Sequence, residues 1–176
     1  MIRVNENLII DSAFKTNPGY WGTYRDYKKN GSVVTAIYTQ PTALGIILES
    51  SEDLKPNTNY TLSVYVKGSR AFTMNYNYFM YGEEGNLFLK YSGETLSPNV
   101  WHRVSVPFKH NKSYNFRNVM IGYDYGEAGD MELSFKYPKL EIGEVATPYV
   151  LNKNDLDPSK QAIFVAGGVF REVYPV

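Results

Sequence analysis

Aromatic rings set among amides and carboxylates are the groups here whose types and spacing point to ligand recognition. The 176-residue chain carries 16 Tyr, 9 Phe and 2 Trp, so the aromatic content is dominated by tyrosine. An aromatic face lies well against the C–H side of a flat ring, while amides and carboxylates at its rim hydrogen-bond hydroxyls. Trp21, Tyr24 and Tyr27 fall in one loop-like stretch, and Phe79 and Tyr81 border a glycine-flanked tip at 82–86. Asn75, Asn77 and Tyr65 sit on the polar faces of consecutive predicted strands, where a concave sheet would gather them. The candidate ligand-binding set is therefore Trp21, Tyr24, Tyr65, Asn75, Asn77 and Tyr81. Rings also build cores: Phe72, Met74, Tyr76 and Tyr78 share one face and read as core, and Trp101 at the head of a strand reads as packing.

A second chemistry is oxygen ligation of a hard cation, which needs six to eight oxygens. Asp124, Glu127 and Asp130 around Gly126 and Gly129 are candidate ligands of a structural calcium, the alternative being an ordinary acidic turn. Asn152, Asn154, Asp155 and Asp157 form another oxygen-rich stretch, and neither matches an EF-hand loop. With no cysteine and only His102 and His110, a zinc centre is disfavoured, and both histidines read as exposed strand ends. No nucleophile elbow, zinc-protease helix or phosphate-cradling loop occurs, so the chain reads as a non-enzyme. Two of its 18 carboxylates would suffice for glycoside hydrolysis, which keeps a glycan-degrading enzyme as a distant alternative.

The 18 Lys and Arg balance the 18 Asp and Glu, which argues against a nucleic-acid partner. No apolar run reaches the roughly 20 residues of a membrane-spanning helix, so no membrane insertion is expected. The opening residues lack the apolar stretch of a signal peptide, which reads as synthesis in the cytoplasm without processing.

The elements that must position these groups are strands. Leu62, Val64 and Val66 alternate with Thr61, Ser63, Tyr65 and Lys67, giving a core face and a solvent face. The same period two runs through 72–78, through Val104, Val106 and Phe108, and through Ile121, Tyr123 and Tyr125. It returns in Met131, Leu133, Phe135 and Tyr137, with Glu132, Ser134 and Lys136 opposite. With 33–38 and 45–49 these make about seven or eight strands, and two antiparallel sheets packed face to face bury that many one-sided strands. The sandwich is expected over 1–150, a polar linker over 151–161, and a hairpin turning at Gly167-Gly168 over 162–176, a possible tether.

Three motifs carry a family resemblance. They are the opening Asn7-Leu8-Ile9-Ile10-Asp11-Ser12-Ala13-Phe14 with Tyr20-Trp21, the middle segment at 54–68, and Pro138-Lys139-Leu140-Glu141-Ile142-Gly143 with Ala146-Thr147-Pro148-Tyr149. Together with Trp101-His102-Arg103-Val104-Ser105-Val106 they resemble, in order, the jelly-roll carbohydrate-binding-module domains of bacteriophage virion proteins. The resemblance covers about 7–150 and implies an all-β, two-sheet antiparallel jelly-roll β-sandwich. It further implies a virion location, in a tail, baseplate or capsid fibre, with host cell-wall polysaccharide and other virion proteins as partners. The alternative is a purely structural or decoration protein of the virion without glycan affinity. Virion fibres and baseplates repeat protomers about an axis, so a symmetric homo-oligomer is expected.

Overall fold

The computed structural model describes residues 4–16, 21–23, 26–38, 44–73, 76–81, 85–89, 94–111, 118–123 and 131–156. At 21–23, 38, 44–45, 47, 76–81, 85–89 and 118–123 it describes the backbone alone. The strands are β1 (Trp21–Thr23), β2 (Tyr27–Asn30), β3 (Val33–Tyr38), β4 (Leu44–Glu49), β5 (Thr58–Gly68) and β6 (Phe72–Thr73). They continue with β7 (Tyr76–Tyr81), β8 (Gly85–Leu89), β9 (Thr95–Leu96), β10 (His102–His110), β11 (Asn118–Tyr123) and β12 (Met131–Ile142). One sheet runs β1-β4-β11-β7-β8, the second β10-β5-β12-β3-β2, and β6 pairs with β9 in a two-stranded sheet. Every pairing among the described strands is antiparallel. The run expected as one strand over 72–78 thus divides, with β6 and β7 in different sheets. Phe72 is core as expected, and Gly68 makes room for it, since a Cβ there would come within 2.6 Å of the Phe72 ring.

The core fills the space between the two large sheets. Ile46 and Leu48 of β4 join Val34 and Ala36 of β3, Leu62, Val64 and Val66 of β5, Val104 and Val106 of β10, and Leu133 and Phe135 of β12 in one buried cluster. Tyr60 stacks on Phe108 at 5.8 Å between ring centres. On β10 the alternation continues one step beyond Phe108, so His110 takes the next inward position and is fully buried rather than exposed. His102, at the other end, is partly exposed and its Nε2 lies 3.1 Å from the Ser97 carbonyl.

β12 departs from a regular ladder at one point. Lys136 pairs with Tyr65, but Lys139 pairs with Ser63, so one extra residue is inserted on β12. Tyr137, at φ 54°, takes the left-handed conformation that the bulge requires. It therefore leaves the inner face on which alternation had put it, and its ring stacks on Tyr149 at 4.6 Å. Beyond the bulge, Lys139 and Glu141 point outward while Leu140 remains in the core.

The outer face of this second sheet is not all solvent. Thr61 and Ser63 are 1% and 2% exposed because the chain that leaves β12 folds back over them. Gly143, at φ 128°, turns the chain, donates its N–H to the Asn59 carbonyl, and offers its own carbonyl to Thr61 Oγ1 at 2.7 Å. Beneath this cover Lys139 and Glu141 form a fully buried ion pair at 3.2 Å. Lys139 also donates to Thr147 Oγ1 at 2.6 Å and the Pro148 carbonyl at 2.8 Å, and Glu141 accepts from the Thr147 N–H at 2.9 Å and its hydroxyl at 2.5 Å.

Asn7 holds the seam's other side. Its amide donates to the carbonyls of Pro138 and Val150, and accepts from the N–H groups of Ile9 and Leu140, so its hydrogen-bonding capacity is filled while it is fully buried. The C-terminal stretch is tied on in the same way. Asn152 donates to the Asn7 carbonyl at 2.7 Å and caps the 3-10 turn Lys153–Asp155. The Asp155 carboxylate accepts from the N–H groups of Asp11 and Ser12. Residues 152–155 of the linker expected over 151–161 are held against the sandwich, because the oxygens of Asn152 and Asp155 serve backbone N–H groups, and 157–161 lie outside the described residues. The expected hairpin at 162–176 lies outside the described residues.

Asn7→Leu, which keeps the volume and deletes the amide, should strand buried backbone groups and lower stability by about 3 kcal/mol or more in urea unfolding. Glu141→Ala, leaving a buried ammonium without its partner, should cost about 3–5 kcal/mol by the same measurement. Burial lowers the Lys139 ammonium from 10.5 to about 8, outweighing the favourable pull of Glu141. Between those values the unfolded chain keeps a proton that the folded chain has released, so this group's contribution to stability rises with pH from about 8 to 10.5. Parallel melts at about pH 7 and about pH 9.5 should show the native protein gaining on Lys139→Met over that interval.

Candidate functional site

The pairing order β10-β5-β12 brings side chains from three strands onto one row of the outer face: Arg103 opposes Tyr65, and Tyr65 opposes Lys136. Trp101 lies one residue ahead of β10, and Lys67 lies two beyond Tyr65 on β5. All five, with Tyr137 at the bulge, are partly exposed. Period two within each strand turns these residues outward, and the bulge adds the Tyr137 ring to their edge.

Cations and ring faces interleave across this platform. Lys136 Nζ lies 4.5 Å from the centre of the Trp101 ring, 5.4 Å from that of Tyr137 and 5.5 Å from that of Tyr65. Lys67 Nζ approaches the same Trp101 ring at 5.1 Å, and the Arg103 guanidinium lies 5.8 Å from the Tyr65 ring. The Tyr65 and Tyr137 rings meet edge to face at 6.4 Å. Burial, and secondarily the charge of Lys67, push the Lys136 ammonium below its ordinary range. Arg103 is fixed from below by hydrogen bonds to the Thr147 carbonyl and Ser63 Oγ, so the buried seam orients the platform's cation. The arrangement sets aromatic rings and charged donors side by side on one partly exposed surface, the two group types that ring-shaped hydroxylated ligands require.

Of the residues singled out from the sequence, Tyr65 belongs to this platform. Tyr65 and Asn77 are not brought together, because β5 and β7 belong to different sheets. Trp21, Asn77 and Tyr81 lie on β1 and β7 of the first sheet, where the backbone alone is described. Tyr24 and Asn75 lie outside the described residues, as do the calcium candidates Asp124, Glu127 and Asp130. Among the described residues no group of three or more His, Asp or Glu side chains is placed to hold a metal ion.

Trp101, expected to be packing, is partly exposed, with two lysines against its ring. Lys67, Arg103 and Lys136 went unnoticed as site residues, although each lies on the polar side of its alternating strand. What would have joined them is the order in which the strands pair.

No protein-family model and no curated protein sequence matches the chain. Among solved structures it is similar to the BppUct-A-L tripod from the baseplate of bacteriophage Tuc2009, with a TM-score of 0.59 and 17% identity over 88% of this chain and 61% of that one. The chain thus spans about three fifths of that protein's length. It is similar to a CBM4 module, at TM-score 0.59 and 14% identity over 74% of this chain and 99% of that one. The CBM22-1 xylan-binding domain from Paenibacillus barcinonensis gives a TM-score of 0.55 and 12% identity over 82% of this chain and 100% of that one. The jelly-roll β-sandwich expected from the sequence is thereby borne out, and the fold is that of carbohydrate-binding modules.

Proposed function

We propose that the chain is a non-catalytic, glycan-binding accessory module of a phage virion, which helps attach the particle to host cell-wall polysaccharide. The observation that carries this reading is the partly exposed platform of Trp101, Tyr65 and Tyr137 on a jelly-roll sandwich. The likeness to a baseplate protein and to carbohydrate-binding modules supports it. Trp21, Tyr24, Asn75, Asn77 and Tyr81 stay in the proposal as further glycan-contacting candidates. So do the calcium ligands Asp124, Glu127 and Asp130, and the tether at 162–176, which would join the module to other virion proteins in a symmetric assembly.

The test is a pull-down of the labelled chain on intact bacteria and on isolated cell-wall polysaccharide, with and without residues 161–176. Saturable binding that survives the deletion and is competed by soluble glycan is expected. Binding to no envelope preparation would overturn the reading in favour of a decoration protein. Trp101→Ala should weaken binding roughly tenfold, about 1.4 kcal/mol, with its melting temperature nearly unchanged. Phe135→Ala, in the core, should instead cost about 3–5 kcal/mol of stability.

A further inference from the structure

The charge pattern of the platform narrows the ligand. Lys67 and Lys136 approach one indole, at 5.1 and 4.5 Å, and Arg103 stands in the adjoining row. Among the described residues the ion pairs are Lys28 with Glu132, Lys139 with Glu141, and Lys153 with Glu6 and Glu52; none involves these three cations. This departs from the chain as a whole, whose cations and anions balance. Two ammonium groups sharing a ring repel each other, and the Lys67 charge disfavours that of Lys136. An anion seated between them would relieve it, while a flat ring attached to that anion would find the faces of Trp101 and Tyr65 alongside. A neutral sugar satisfies the rings and leaves the repulsion in place.

We propose that this face, at Trp101, Tyr65, Lys67 and Lys136, binds an anionic glycan, a sugar chain carrying carboxylate or phosphate groups. The inference rests on the glycan-binding reading above and adds the ligand's charge. Lys67 and Lys136 contact the anionic group, the Trp101 and Tyr65 rings beside these cations line the sugar, and Arg103, held by the Thr147 carbonyl, closes one end.

Calorimetric titration of the full chain with three probes tests it: an oligogalacturonate, a glycosylated glycerol-phosphate oligomer, and neutral cellohexaose. At least one anionic probe should bind at least tenfold more tightly than cellohexaose and lose about tenfold or more in affinity between roughly 50 and 500 mM salt. Which of the two binds decides between carboxylate and phosphate. Lys136→Gln and, separately, Lys67→Gln should each weaken that binding about ten- to a hundredfold. Both variants should remain folded at the titration temperature, since each replaces a partly exposed side chain. Lys28→Gln, which removes an exposed lysine paired with Glu132, should leave binding unchanged. Equal, salt-insensitive binding of cellohexaose would overturn the anionic site while the glycan reading stands. Binding of no glycan would remove both. Binding of polyglutamate as tight as that of the anionic sugars, unaffected by Trp101→Ala, would overturn the proposal in favour of an acidic protein partner.

Discussion

One extra residue in β12 sets the character of the sheet's outer face. In an unbroken strand, positions three apart point to opposite sides, so Lys136 outward would have put Lys139 in the core and Leu140 on the surface. The bulge at Tyr137 restores the register, keeping Leu140 buried and turning Lys136, Lys139 and Glu141 to the same side. That single step separates the face into two zones. Ahead of it Lys136 stands over open aromatic rings; behind it Lys139 and Glu141 are sealed under the returning chain.

The sealed zone gives the sequence motifs their physical meaning. Asn7 of the opening motif bonds to Pro138 and Leu140 of the closing one, and the Thr147 hydroxyl of the Ala-Thr-Pro triplet receives Lys139 and serves Glu141. Gly143 makes the turn that lets the one reach the other. The opening and closing motifs of the resemblance are thus those that fasten residues 7–9 to 138–150 across a sheet. The platform draws on the other resemblance segments, Tyr65 and Lys67 from 54–68 and Trp101 and Arg103 from 101–106, and adds Lys136 and Tyr137 from outside them.

Much of the sandwich was legible because period-two alternation records burial directly: Leu62, Val64 and Val66, and likewise Val104, Val106 and Phe108, are core as their spacing implies. Alternation reports faces but not neighbours. It put Tyr65 and Asn77 on polar faces without revealing that their strands lie in different sheets, and it put Arg103, Tyr65 and Lys136 on polar faces without revealing that theirs are adjacent. It also took every polar face for a wet one, and so missed the burial of Thr61 and Ser63 under a segment some 80 residues away. The polar run at 152–155 read as linker for the same reason: hydrophilic side chains suggest solvent until their backbone partners are known.

The way the chain enters and leaves the sandwich has a mechanical consequence. Residues on either side of the fold, Asn7 with Val150 and Asn152, and Asp11 with Asp155, are clasped directly to one another. Tension applied at Val4 and Leu156 would load this clasp before it reached the long ladder between β5 and β12. Side-chain bonds of this kind break in succession, whereas a ladder sheared along its length resists as a unit. A module fastened so would yield in graded steps at its seam while its sheets, and the face they carry, kept their shape under load.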